Sequence, residues 1–135
     1  MSRYCLALVL IVSIGSNAAA IEFTRETLDV VKKNVAEKKA VLVDVRSKYE
    51  WDKGHVDGAI FLPITTLEEI EPNKLAKVLP KKKILYTHCA IGMRAEAAGE
   101  ILEQQGYTVR VLKPGYKELI EAGFKKAKKK HEDPR

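Results

Sequence analysis

The chain has 135 residues, 46% of them hydrophobic and 31% charged, which fits one core-bearing domain and leaves no room for two full-sized cores. The 8 Gly and 5 Pro are ordinary usage and show no internal period, which excludes low-complexity disorder and repeat arrays. Lys and Arg number 24 against 18 Asp and Glu, a formal charge of +6, and much of the excess sits at the end of the chain rather than on a nucleic-acid-binding motif.

In chain order, Arg3, a nearly all-apolar run over residues 4–14 and the small residues 16–20 predict a secretory signal peptide over residues 1–20, cut after Ala18 or Ala20. The run falls short of the roughly 20 residues that cross a bilayer, so no stable membrane anchor is expected after cleavage. Cys5 leaves with the leader, and the exported chain keeps Cys89 alone in a compartment where disulfides usually form. The expected location is periplasmic or secreted, with the periplasm favoured by the short signal and the lack of an internal disulfide. A lone thiol there is a buried small hydrophobe, a dimer bridge or a nucleophile, and its neighbours must decide between them.

Leu28, Val31 and Val35 at helical spacing predict an amphipathic helix over 24–38, with Thr24 and Thr27 as candidate caps. Residues 40–45 are a short β-branched run suited to a strand buried on both faces, and 59–62 a second strand ending at Pro63. Short helices are predicted over 66–70 and 73–79, separated by Pro72 and closed by Pro80, then a third strand over 83–87. An alanine-rich helix over 95–105 stops at Gly106, a fourth strand covers 108–112, and a last helix over 116–122 stops at Gly123. Alternating strands and helices predict an α/β domain over 21–124, its mainly parallel central sheet covered by helices on both faces. Residues 125–135, with five lysines, read as a solvated, disordered basic tail capable at most of weak contact with anionic lipid.

Ligands of such sheets bind beyond the carboxyl ends of strands, which is where Cys89 stands. The segment 84–98 reads as strand, cysteine, short loop and helix, with Gly92 permitting the curl and Arg94 at the helix entrance. Loop N–H groups and the positive end of the helix favour negative charge on the sulfur or on what it carries.

This loop, Cys89-Ala90-Ile91-Gly92-Met93-Arg94, resembles the six-residue active-site loop of the rhodanese family of sulfurtransferases. Two further segments strengthen the resemblance. One is Val43-Asp44-Val45-Arg46 with Glu50, Gly54-His55-Val56-Asp57-Gly58-Ala59 and Leu62-Pro63; the other runs over 106–115 with Leu119 and Gly123-Phe124. Together they cover nearly all of residues 24–124. Phe61, Pro114 and Leu119 stand where relatives often carry Asn, Gly and Trp, which touches the pocket wall and not the nucleophile.

The resemblance implies that Cys89 takes a sulfane sulfur from a small anionic donor such as thiosulfate, becomes a persulfide, and passes the sulfur to cyanide or a thiol. It further implies that the N–H groups from Ala90 to Arg94 cradle the outer sulfur, that Arg94 attracts the anion, and that Asp44 and Arg46 brace the sheet edge. The uncharged Ala90, Ile91 and Met93 leave an anion only Arg94 and the helix dipole, so modest turnover with thiosulfate is expected. No cofactor, metal or nucleic-acid partner is expected, since three scattered His and one Cys make no metal set. His88 points to the face opposite its neighbour and reads as a packed side chain, His55 as structural, and Glu50 as a partner for Arg46 beside a surface-covering Trp51. The rivals are a persulfide relay fed by a protein donor, a partner-binding module, and a phosphatase or arsenate reductase of related architecture, whose cradle is one residue longer.

Overall fold

A computed structural model describes residues 20–129, so the expected signal peptide, save Ala20, and residues 130–135 lie outside the described residues. The elements are α1 (Leu28–Ala36), β1 (Ala40–Asp44), α2 (Lys48–Lys53), β2 (Ile60–Phe61), α3 (Ile64–Leu67), α4 (Pro72–Val78), β3 (Ile84–His88), α5 (Met93–Gln104), β4 (Thr108–Val111) and α6 (Tyr116–Glu121). The strands form one parallel sheet in the order β2-β1-β3-β4. Among the described residues no helix is long and apolar enough to cross a membrane.

The alternation of side chains along the inner strands divides the core in two. Val43, Val45, Leu85 and Val111 pack with Leu67, Leu75, Ala98 and Leu102 of α3, α4 and α5. Leu42 and Tyr86 pack with Val31 of α1 and Leu119 of α6 on the other face. This is the expected α/β architecture, with helices on both faces of the sheet. The register pairs Asp44 with His88, and Val45 N–H donates to His88 C=O at 3.1 Å, which brings the carboxyl ends of β1 and β3 to one edge.

Several boundaries depart from the periodicity, and the short helix expected over 66–70 runs instead over Ile64–Leu67. The first helix begins at Leu28, capped by the Thr27 side chain, and not at 24, because the preceding residues run extended beside β4. There Phe23 bridges Val111, Thr24 N–H donates to Val111 C=O at 2.8 Å, and Glu26 is held by Arg110 and by the Tyr86 hydroxyl at 2.7 Å. The alanine-rich helix begins two residues early, at Met93, because Gly92 takes a left-handed φ of 97° and the next turn is already helical. The basic tail, expected to be frayed from residue 125, is instead fixed at its start. Val56 and Lys126 form an antiparallel bridge, Asp57 N–H donates to Lys125 C=O at 2.8 Å and Ala127 N–H to His55 C=O at 2.9 Å. Backbone pairing of this kind does not depend on side-chain polarity, which is why lysine content hid it.

Candidate active site

The buried β3 carries the chain out of the sheet at Cys89, whose side chain joins the α3–α5 side of the core and is fully buried. The Gly92 N–H donates to Cys89 Sγ at 3.1 Å. Two demands meet at Gly92: its φ of 97° disfavours any side chain, and a Cβ there would lie 2.9 Å from Phe23 Cε1. Among the described residues the N–H groups of Ala90, Ile91, Met93 and Arg94 have no protein acceptor, so they remain unspent in the loop and at the positive end of α5. Thr87 Oγ1 donates to Ala95 C=O at 2.9 Å and ties the strand to that helix.

The loop is held from outside by a contact that local sequence does not announce. Tyr116 N–H donates to Cys89 C=O at 3.0 Å, and a Cβ on Gly115 would stand 2.0 Å from Ala90 O and 2.8 Å from Cys89 O. Ile91 and Met93 form the rim, 73% and 71% exposed.

Arg94 makes a two-pronged ion pair with Glu50, at 2.7 and 3.0 Å. Glu50 is aimed there by a capping box at the start of α2, where Ser47 N–H donates to it at 2.9 Å. The Arg94 guanidinium, opposed by the burial cost, pulls the Glu50 carboxyl down to about 2. Glu50 was expected to pair with Arg46; the capping box aims it at Arg94 instead, and Arg46 has a nearer partner.

A rhodanese-like domain model matches residues 27–122. The chain belongs to the rhodanese-like domain family. Among solved structures it is similar to a rhodanese-related protein from Thermoplasma volcanium, with 29% identity over 74% of this chain and 93% of that one, at a TM-score of 0.62. It is also similar to the human single-domain sulfurtransferase, with 26% identity over 76% of this chain and 96% of the other, again at 0.62. A curated relative, the tRNA uridine(34) hydroxylase of Protochlamydia amoebophila, is 34% identical over 53% of this chain. The match spans only 23% of that relative's length.

Behind the loop of this rhodanese-like domain lies a buried polar layer. Arg46 Nε and Nη2 donate to the Asp44 carboxylate at 2.7 to 3.1 Å, Nη2 also donates to Gly54 C=O at 2.8 Å, and the guanidinium rests 4.3 Å over the Tyr116 ring. Asp44 and Arg46 thus join β1, the end of α2 and the start of α6 without touching the sulfur. Trp51 stacks on His55 at 3.5 Å and meets Phe61 at 4.8 Å, so the Phe61 departure is absorbed as aromatic packing. Among the described residues no group of His, Cys, Asp and Glu is placed to hold a metal ion.

His88 is buried beside Asp44, 4.0 Å from its carboxylate, with neither ring nitrogen hydrogen-bonded within the protein. As Cys89's neighbour on an extended chain it faces the other side of the sheet, out of reach as a base for the sulfur. Burial, aided by Arg46 and opposed by Asp44, lowers it to about 4. In the unfolded chain a His titrates near 6.5, so between the two values the unfolded state binds the extra proton. The domain therefore loses stability as pH falls from about 6.5 towards 4, by up to roughly 3 kcal/mol. His88→Leu should flatten that slope, seen as denaturation midpoints that vary less across the window.

Proposed function

We propose that the protein is an exported sulfurtransferase working through a Cys89 persulfide. The Cys89 thiolate attacks the outer sulfur of thiosulfate, the S–S bond of the donor breaks, and sulfite leaves with the electron pair. Cyanide or a thiolate then attacks the outer sulfur of the persulfide, and the pair of the broken S–S bond returns to Cys89. Both leaving groups depart as anions, so no general base is required, which agrees with the distance of His88 from the work. No cofactor enters the scheme.

The observation that carries this reading is a cysteine at the start of a glycine-curled loop whose Sγ accepts from the Gly92 N–H, with four neighbouring loop N–H groups left without a protein acceptor among the described residues. The same geometry disfavours a phosphatase or arsenate reductase. The six-residue loop closes over a fully buried Sγ, and its arginine is engaged with Glu50 rather than facing an oxyanion. The hydroxylase activity named for the curated relative belongs to a protein of which this chain matches less than a quarter, and nothing at the loop calls for a tRNA substrate. Intact-mass measurement of the protein after thiosulfate tests the reading: one added sulfur, removed by cyanide, supports it. No gain with thiosulfate or with polysulfide would sink it.

A second reading, a relay serving a protein thiol, is favoured by the exposed Ile91 and Met93 rim and by the neutralised arginine, which give a small anion little to hold. Arg94→Ala should lower thiosulfate kcat/KM about tenfold, chiefly because it leaves the Glu50 carboxylate unpaired beside an anionic reaction. Adding Glu50→Gln to that variant should restore much of the loss, a coupling that a double-mutant cycle reads directly. Equal losses in the single and double variants would show that Arg94 acts on the donor itself.

A further inference from the structure

The lysines beyond Phe124 remain outside the sulfur chemistry, yet the fold gives them a shape. On the far side of α2 from the loop lies an open groove of about 1300 Å³. One wall is the end of α2 with residues 54–57, and the other is the chain 125–129 lying antiparallel to it. Five lysines line it: Lys53, Lys125, Lys126, Lys128 and Lys129. Of its two acids, Asp52 is already paired with Lys48 at 2.5 and 2.7 Å, which leaves Asp57 as the main opposing charge.

The start of the lysine wall is held by backbone hydrogen bonds between residues 125–127 and His55 and Asp57, which seats its lysines beside the end of α2 rather than on a free end. Lys126 lies over Gly54, where a Cβ would come within 2.7 Å of its Cε, so its side chain is laid along the groove wall.

We propose that this groove docks an extended acidic segment of a protein partner. The groove sets five lysines against one unpaired acid along two stretches of chain, so it suits negative charge spread along a chain. A nucleic acid would want a free aromatic face as well, and Trp51 is already packed against His55 and Phe61. A bilayer surface is flat, whereas these lysines line a concavity, four on one wall and Lys53 on the other. Trp51 follows Glu50, the residue that holds Arg94, so a segment in the groove ends one helix away from the sulfur loop. That the partner gives or receives sulfur rests on the reading above, while the docking does not.

The test uses the full chain and a fluorescein-labelled oligoglutamate peptide, followed by fluorescence anisotropy. Saturable binding that weakens steeply with salt, and that falls at least about tenfold when Lys125, Lys126, Lys128 and Lys129 are all changed to Glu, supports the proposal. The tail is fixed by backbone bonds, so this variant should keep its thermal melt and its sulfur loading from thiosulfate; a Lys→Gln set should lose less affinity. Unchanged affinity in the charge-reversed protein would overturn the proposal. So would tighter binding to phosphatidylserine vesicles or to a single-stranded oligonucleotide. Failure to load sulfur with peptide binding intact would count against the sulfur chemistry alone.

Discussion

Cys89→Ser should abolish sulfur uptake completely while the domain stays folded. The hydroxyl is a poor nucleophile with no base beside it, because His88 lies on the other face of the sheet and Arg94 is a permanent cation. Nothing else in the loop can accept a sulfur atom. The structural change is small: the Gly92 N–H keeps an acceptor, and exchanging a buried thiol for a hydroxyl costs about 1–2 kcal/mol. Mass spectra after thiosulfate should show no adduct, and the thermal melt should move by only a few degrees. A Ser variant that still gains a cyanide-removable sulfur would remove Cys89 from the chemistry.

Gly115→Ala should slow the reaction without abolishing it and should be more damaging to the fold. Glycine stands there for space alone, since its φ of −95° suits any residue, but the added methyl would fall 2.0 Å from the Ala90 carbonyl oxygen. That oxygen belongs to backbone and cannot step aside as a side-chain tip would. The loop must move, or α6 must draw back and break the Tyr116 hydrogen bond to Cys89. Overpacking of this kind costs roughly 1–3 kcal/mol, and displacing a cradle by about 1 Å slows the step it serves about a hundredfold. Denaturation and the rate of sulfur loading should both report the loss; a variant that loads at the native rate would mean that the cradle tolerates displacement.

What could be read from the sequence was what lies close together along it. The strand, cysteine, glycine and helix of residues 84–104 are contiguous, so the loop is legible there, and alternating short strands and helices disclosed the parallel sheet. The contacts that missed are those that span the chain. Glu50 and Arg94 are separated by β2 and β3, and only folding shows that Arg94, rather than Arg46, is within reach. The role of Gly115 is a collision with Ala90, which no propensity records. Thr24 to Thr27 fitted a helical period, but the edge of β4 offered their backbone a partner, and Arg110 and Tyr86 took Glu26. The tail's lysines spoke of solvent, while its backbone paired with residues 55–57.

The extended residues before α1 make the Cys89 loop depend on a distant part of the chain. Phe23 bridges Val111 at the sheet edge, and its ring lies against Gly92 at the turn of the sulfur loop. Ile21 packs against the same core. An amino terminus trimmed even three or four residues too far would strip the floor from the loop some seventy positions downstream and leave β4 with a bare edge. The seating of the Cys89 loop is thus bound to residues 21–24, a segment far from it in sequence and laid against it only by the fold.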